Sequence, residues 1–138
     1  MEPRPYLMSD RDACLAVFDS QALAHRQAFV DFLDAAPSNF TVLEHEGVIV
    51  GCGGWTIVDH VALLVHGMIH RDYQKMGLGR FLLLYRLRQV SKSGSDVQFV
   101  RATAPPETAL FHQKQGFKPT GAQDAASVEV IMKLTVCP

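Results

Sequence analysis

The middle of the chain shows the short apolar runs and turn residues of β-structure. Two runs rich in β-branched and aromatic residues flank the segment EHEG within residues 39–58, and Gly47 can adopt the positive φ of a tight turn. A β-hairpin is predicted there. The next run, VALLVHGMI at residues 61–69, is apolar almost throughout, which is typical of a strand buried on both faces. Gly67 interrupts this run and predicts a bulge or a close backbone approach.

Helical spacing dominates the N-terminal third. Ser9 or Asp10 is the expected cap of a first helix. The apolar face of that helix has three residues: Cys14, Leu15 and Phe18. The segment QALAHRQAFVDFLDAA, residues 21–36, predicts a second helix that Pro37 ends.

The second half of the chain predicts two more helices and three more strands. One helix runs from about Leu78 to Ser91 with Gly94 as its stop, and a short one lies in PPETALFHQKQ. DVQFVRAT, FKPT and SVEVIMKLTV predict strands, as does RPYLM near the N-terminus. The order β-α-α-β-β-β-α-β-α-β-β indicates a mixed α/β fold. No linker or repeat divides the chain, so we expect one domain over residues 1–138.

Composition excludes several classes of function. The chain has 138 residues, 48% hydrophobic and 20% charged, with a net charge of −1. Nucleic-acid binding and polybasic membrane contact need a concentrated positive surface, so neither is expected. Three widely spaced cysteines without a C-x-x-C pair fit a reducing cytoplasm. The N-terminal segment lacks the apolar core of a signal peptide, and no apolar run is long enough to cross a bilayer.

Two glycines, Gly77 and Gly79, stand between a predicted strand and a predicted helix. The first turn of a helix offers unpaired N–H groups and a partial positive charge, and phosphate is the natural ligand there. Arg71, Lys75 and Arg80 add charge. Neither the G-x-x-x-x-G-K-[ST] phosphate loop nor the G-x-G-x-x-G dinucleotide motif is present. On spacing alone, a glycine turn with scattered surface charge is an equal alternative.

Two motifs in this region resemble those of the GNAT N-acetyltransferases. The pattern I-x-x-x-Y-Q-K-M-G-L-G-R-x-L-L, from Ile69 to Leu83, resembles the acetyl-CoA-binding motif of that family, which has Q/R-x-x-G-x-G/A. The segment ALFHQKQGF, from Ala109 to Phe117, resembles the family signature a-x-x-F-Y-e-k-x-G-F. The order of elements also matches, so the resemblance covers nearly the whole chain.

The resemblance implies a fold and a cofactor. The fold would be a mixed, mostly antiparallel sheet of about six or seven strands, splayed between strands 4 and 5 and flanked by about four helices. Acetyl-CoA would be the co-substrate, its pyrophosphate held by the loop and its pantetheine arm paired with the end of the fourth strand. A backbone N–H at a bulge would stabilise the oxyanion of the reacting thioester. The implied cofactor-binding residues are Gly67, Met68, Ile69, Lys75, Met76, Gly77, Leu78, Gly79 and Arg80.

The chain departs from the family at the positions that usually move protons. Leu63 and Val100 occupy the places where many members carry a general base. His112 occupies the place of a tyrosine that commonly acts as general acid. The resemblance therefore makes His112 the candidate acid, with an ordinary imidazole pKa near 6.5. The alternative is a histidine without a catalytic role, with solvent protonating the departing thiolate.

Other chemistry-bearing residues have simpler interpretations. His66 is one residue off the alternation that would direct it to the acetyl group, so a hydrogen-bonded core histidine is the favoured interpretation, although a bulge would change this. His60, His66 and His70 lack the spacing of a metal site, and no metal is expected. Cys52 is interpreted as a small buried strand residue. Trp55 and Thr56 would line an acceptor pocket, or Trp55 would serve the core.

The sequence therefore predicts an acetyl-CoA-dependent N-acetyltransferase that acts by direct attack in a ternary complex. A small primary amine is favoured over a protein as the acceptor, because no peptide-docking feature stands out. Many relatives dimerise, so a homodimer is one implied assembly. Two alternatives stay open: a catalytically silent acyl-CoA-binding module that acts as a sensor, and an enzyme that transfers longer acyl chains.

Overall fold

A computed structural model describes residues 2–93 and 96–134. Single 3₁₀ turns cover Met8–Asp10 and Arg71–Tyr73. The other elements, in chain order, are β1 Glu2–Pro5, α1 Arg11–Asp19, α2 Arg26–Asp34, β2 Phe40–His45, β3 Val48–Val58, β4 Val61–Ile69, α3 Leu78–Lys92, β5 Phe99–Ala104, α4 Pro106–Lys114, β6 Lys118–Gln123 and β7 Val128–Lys133.

The strands form a seven-stranded sheet in the order β1-β2-β3-β4-β5-β7-β6. β1–β2, β2–β3, β5–β7 and β6–β7 pair antiparallel, whereas β4 and β5 are parallel. The parallel register joins Val61–Leu63 to Phe99–Arg101. No further pairing between these two strands occurs in the described residues, although both strands continue. A mixed, mostly antiparallel sheet with four helices was predicted, and it is confirmed.

The chain divides into two compact units. The first comprises Met1–Gly54 and His66–Arg86, and the second comprises Trp55–Val65 and Leu87–Pro138. A single domain over residues 1–138 stays a prediction.

An aromatic cluster holds the first unit together. Phe29 of α2 stacks on Phe18 of α1 with ring centroids 5.2 Å apart, and Phe40 of β2 meets Phe32 edge-on at 5.0 Å. The spacing of Phe29, Phe32 and Leu33 puts them on one face of α2, as predicted, and that face is where the helix buries its apolar area. The core cluster consists of Tyr6, Cys14, Leu15, Val17, Phe18, Phe29, Val30, Leu33, Phe40, Val42, Cys52 and Met68.

The second unit is built on the β5–β7–β6 pairing. Phe99–Ala104 pairs with Val128–Lys133 along its full length. Val100, Val130 and Phe117 are buried there, together with Ala109 and His112 of α4. Pro106 opens α4 at a position where a missing N–H is harmless, as the sequence predicted.

Several sequence predictions of local structure were wrong. β1 lies at Glu2–Pro5 rather than RPYLM, and α2 begins only at Arg26. Asp10 does not cap α1 through its side chain, because its carboxylate accepts hydrogen bonds from Leu7 N and from Arg4 instead. β4 is mostly half-buried rather than buried on both faces. The predicted stop at Gly94 lies outside the described residues.

Candidate functional site

The loop between β4 and α3 is fixed at its start by side chains that bond to the backbone. Gln74 Nε2 donates to the carbonyl oxygen of Ile69 at 3.0 Å, and His70 Nδ1 accepts from Asp72 N at 3.1 Å. Ser20 Oγ, after α1, accepts from Arg71 N at 3.1 Å. These bonds tie the 3₁₀ turn at Arg71–Tyr73 to the end of β4 and to the residue after α1.

The end of the loop is anchored by a small apolar cluster. Leu78, the first residue of α3, is 7% exposed and packs with Leu43 and Val50. Ile69 and Tyr73 lie against the same cluster. The start of α3 is therefore packed against β2 and β3.

The backbone of the loop opens toward solvent at Gly77. Lys75 and Gly77 have φ values of 64° and 82°, and no heavy atom lies within 4 Å of the position that a Cβ on Gly77 would occupy. Because α3 begins at Leu78, the N–H groups of Leu78 and Gly79 have no acceptor within the helix. Helical backbone, open space and donor groups thus meet at one point, which suits an anion.

Exposed side chains around this point add charge and apolar surface. Arg71, Lys75 and Arg80 are all exposed. Met76 is 59% exposed, and Phe81 and Leu84 on α3 are 41% and 43% exposed. The sequence analysis missed Phe81 and Leu84. The sequence did contain a sign of their exposure. Leu82, Leu83 and Val90 occupy the buried face of α3, so Phe81 and Leu84 are large apolar residues outside that face.

The end of β4 alternates as a strand should. Gly67 is exposed, Met68 is buried in the aromatic core and Ile69 is half-buried. His70 N donates to the carbonyl oxygen of Val50 at 2.7 Å, which ties this end to β3. The residues predicted to pair with the pantetheine arm therefore lie directly before the loop, in the same unit.

The backbone irregularity in β4 falls on His66, whereas Gly67 shows the close approach that was the other prediction, because a Cβ there would stand 2.6 Å from Arg86 Nη2. His66 has a φ of 51°, in the left-handed region that a non-glycine residue seldom adopts. Its ring lies 4.4 Å from that of Phe32 and 5.0 Å from that of Phe29, between centroids. Burial lowers the pKa of His66, so its imidazole is neutral near pH 7. The core interpretation fits in part, although packing against phenylalanine rings, not a ring hydrogen bond, is what the structure records.

His112 lies in the second unit, on α4. It is 7% exposed, its Nδ1 is 2.8 Å from the carbonyl oxygen of Thr108, and its ring meets that of Phe117 edge-on at 5.2 Å. Since a carbonyl only accepts, Nδ1 carries a proton and Nε2 is the atom that would exchange one. The predicted base positions offer no titratable group: Leu63 is half-buried and Val100 is fully buried. The catalytic role of His112 stays a prediction.

The remaining candidates have local roles. Sulfur hydrogen bonding to Cys14 and then burial raise the pKa of the Cys52 thiol, which disfavours a nucleophilic thiolate. Trp55 is 7% exposed, which favours the core role. His60 Nδ1 forms a hydrogen bond with the backbone carbonyl oxygen of Asp96, at 3.0 Å.

In the part of the chain that the structure describes, no three His, Cys, Asp or Glu side chains are arranged to hold a metal. No helix there is long and apolar enough to cross a membrane.

Sequence analysis also missed Arg86 of α3. Its side chain is 5% exposed and occupies the space that a Cβ on Gly53 of β3 or on Gly67 of β4 would need. Desolvation lowers its pKa to about 10. The sequence signal was an arginine at helical spacing from Leu82, Leu83 and Val90, on the face that should be apolar.

A cavity of about 590 Å³ opens beside the start of the loop. Among its walls are His70, Asp72 and Tyr73 of the loop and the ion pair of Arg4 with Asp10, whose atoms are 2.8 Å apart. The pKa of Asp10 is lowered first by this hydrogen bond from Arg4. The Arg4–Asp10 ion pair joins β1 to the 3₁₀ turn at Met8–Asp10. These two charged side chains in the cavity wall therefore have a structural role.

Comparison with known proteins agrees with this geometry. The model of the acetyltransferase (GNAT) domain matches residues 36–119. An amino-acid acetyltransferase of Vibrio atlanticus (strain LGP32) is 31% identical over 87 residues, which cover 62% of this chain and 19% of that protein. The chain thus spans about a fifth of that curated relative.

Solved structures share the fold at lower identity. A putative GNAT acetyltransferase from Desulfovibrio desulfuricans superposes with a TM-score of 0.83 at 18% identity, covering 97% of this chain and 99% of that one. The PaiA N-acetyltransferase of Thermoplasma acidophilum, solved in complex with coenzyme A, gives 0.77 at 16% identity, covering 96% and 98%. The family model, which spans more than half of the chain, and this fold establish that the protein belongs to the GNAT acetyltransferase family.

Proposed function

We propose that this protein transfers the acetyl group of acetyl-CoA to the nitrogen of a small primary amine. The observation that carries the proposal is the loop at Gly77, where positive φ, open space and the N–H groups of a helix start coincide. That combination suits a pyrophosphate, which coenzyme A carries. The solved relative from Thermoplasma acidophilum contains coenzyme A, which supports this choice of ligand.

Different residues of the first unit would bind different parts of the cofactor. Backbone N–H groups from Lys75 to Arg80 would hold the pyrophosphate, with the exposed cations Lys75 and Arg80 adding charge. Phe81 and Leu84 would cover apolar parts of the cofactor, which explains their exposure. Gly67, Met68 and Ile69 would pair with the pantetheine arm as with an added strand.

The left-handed backbone at His66 suggests a catalytic role for the N–H group that follows it in β4. A left-handed residue immediately before Gly67 would turn the following N–H away from the regular strand direction. We propose that this N–H donates to the thioester carbonyl oxygen as negative charge develops there. Such a donor is fixed before the reaction, so no reorganisation accompanies the chemical step.

Proton transfer completes the reaction. The attacking amine must be neutral, and with leucine and valine at the usual base positions its proton would leave through water. The nitrogen–carbon bond forms and the carbon–sulfur bond breaks; the new amide nitrogen gives its surplus proton to water, and the departing thiolate takes up one proton. We propose that the imidazolium of His112 gives that proton from Nε2, since Nδ1 is engaged by Thr108.

The acceptor is proposed to be a small amine. The curated relative is named an amino-acid acetyltransferase, which supports a small-molecule acceptor. A cytoplasmic location is proposed with it, since Cys14 and Cys52 are free thiols, as expected in a reducing compartment.

One observation favours a second candidate, a silent acyl-CoA-binding module. Leu63 and Val100 stand where a base would be expected, so the chain lacks a titratable side chain at both positions. Native mass spectrometry with acetyl-CoA, followed by measurement of free thiol release across a panel of primary amines, separates the two. The proposed enzyme forms a complex and releases thiol only when an amine is present. Binding without amine-dependent release supports the silent module.

A further inference from the structure

Arg86 is a cation inside the first unit. Its side chain is only 5% exposed, on the face of α3 that Leu82, Leu83 and Val90 otherwise fill with apolar atoms. Burial lowers its pKa to about 10, yet at neutral pH the guanidinium still carries its charge. A charge removed from water is unfavourable unless a partner of opposite charge or several hydrogen bonds compensate for it.

The protein itself supplies little compensation. Nη1 donates one hydrogen bond, 3.3 Å long, to the carbonyl oxygen of Gly54. Nε has no hydrogen-bond partner in residues 2–93 and 96–134, and none is found there for Nη2. The ion pairs within the same ranges involve Arg4, Arg11, Arg26, Arg101, His60 and His70, and none includes Arg86.

Two glycines make room for the guanidinium. A Cβ on Gly53 would stand 3.0, 3.1 and 3.2 Å from Cζ, Nε and Nη1, and these nearly equal distances place it over the flat face of the group. A Cβ on Gly67 would stand 2.6 Å from Nη2, closer than real Cβ contacts allow. The guanidinium therefore lies flat on the backbone of β3 and β4. Nε and Nη2 on one edge of the group form a fork of two parallel donors, of which Nε is buried without a hydrogen-bond partner in the described residues.

This fork lies at the reacting end of the proposed cofactor site. Gly67, which Nη2 approaches, is the first of the three residues proposed to pair with the pantetheine arm. A group that reached Arg86 would thus be attached to one of the two reactants near the thioester, and not to the distant pyrophosphate. Because a fork of two N–H groups matches two oxygens in one plane, its natural ligand is a carboxylate.

We propose that Arg86 binds a carboxylate carried by one of the two reactants, either by the amine acceptor or by the acyl chain of the thioester. The inference rests on the proposed function and narrows its substrate class to amino acids or to acid-bearing acyl thioesters. A neutral reactant would leave the buried charge as poorly compensated as it is in the protein alone. An apolar residue at position 86 would pack the same space without that penalty, so a purely structural role explains the arginine less well.

Two matched pairs of reactants test this proposal and distinguish its two sources. L-Alanine against L-alaninamide, with acetyl-CoA, tests a carboxylate on the acceptor. Succinyl-CoA against butyryl-CoA, with the best amine, tests a carboxylate on the acyl chain. Wild-type protein should prefer the carboxylate member of one pair by about 10–100-fold in kcat/KM, the range expected of hydrogen bonds to a charged group. Arg86→Met should reduce that preference to a few-fold.

The control variant is Arg88→Met, which removes the same charge from an exposed position of α3 and should keep the preference. Equal use of both members in both pairs, or a preference that survives in Arg86→Met, would overturn the proposal. If Arg86→Met does not fold, Arg86→Lys keeps the charge but not the fork, and it should lose most of the preference.

Calorimetry separates this proposal from the proposed function. Acetyl-CoA should bind wild type and Arg86→Met alike, so its failure to bind either counts against the cofactor assignment alone. If no acetyl transfer occurs, titration of the same four probes decides: the carboxylate member of one pair should bind wild type about 10–100-fold more tightly than Arg86→Met. Equal binding of both proteins overturns the carboxylate site.

Discussion

Replacing Gly77 by alanine should separate cofactor binding from folding. Gly77 has a φ of 82°, and a Cβ there meets no heavy atom within 4 Å, so the variant has no clash to relieve. The remaining penalty is that of an L-residue in the left-handed region, roughly 1–2 kcal/mol. For a chain of this size, that lowers the melting temperature by roughly 3–10 °C.

Cofactor binding should suffer separately. The methyl group would stand in the open space beside the N–H groups of Leu78 and Gly79 and keep the pyrophosphate from approaching them. Loss of one hydrogen bond to a charged group amounts to about 1.5–3 kcal/mol. The Kd for acetyl-CoA should therefore rise roughly 10–150-fold in titration calorimetry.

Gly47→Ala is the matched control. Gly47 lies in the β2–β3 turn with a φ of 79° and likewise has nothing within 4 Å of a Cβ. It should lose similar stability and bind acetyl-CoA as wild type does. Equal acetyl-CoA affinity of Gly77→Ala and Gly47→Ala would refute the assignment of the loop.

His112→Phe should bind acetyl-CoA normally but lose about 10²–10⁴-fold in kcat, with partial recovery in His112→Tyr, whereas a kcat within a few-fold of wild type would make solvent the acid. Burial lowers the pKa of folded His66, so the free energy of unfolding should fall as pH drops through about 6.5, and denaturant titrations of His66→Phe should not show that fall. In the same titrations, Gly51→Ala should lower the free energy of unfolding by about 1–3 kcal/mol, because its Cβ would stand 2.7 Å from Ile69 Cδ1 and 2.9 Å from the Met68 carbonyl oxygen. Wild-type stability of this variant would contradict that packing.

The parts of the fold that sequence predicted best are those where local pattern and tertiary role agree. The run at residues 61–69 predicted β4 with its observed bounds, and EHEG predicted the turn that joins β2 to β3. The start of α2 was predicted five residues too early: good helix formers such as Ala22 and Leu23 precede it, but both are exposed and bury little apolar area to stabilise a helix there. Local propensity therefore gave way to tertiary context.

The candidate site divides in the same way. The glycine loop was predicted from spacing, because glycine and a helix start are properties of neighbouring residues. Arg86 was missed because its burial depends on Gly53 and Gly67, which are distant in sequence and reveal their role only when β3 and β4 lie under α3. A bulge or a close approach was expected at Gly67; the left-handed backbone lies at His66, where the rings of Phe29 and Phe32 pack against the imidazole, and the close approach at Gly67 is that of Arg86.

The most direct test of the central claim is release of free coenzyme A from acetyl-CoA by the wild-type protein, followed with a thiol reagent across a panel of primary amines that includes amino acids. We expect release that depends on both the protein and one class of amine, with the acetylated amine as the matching product in mass spectrometry. Saturable binding of acetyl-CoA with no amine-dependent thiol release from any member of the panel would contradict it.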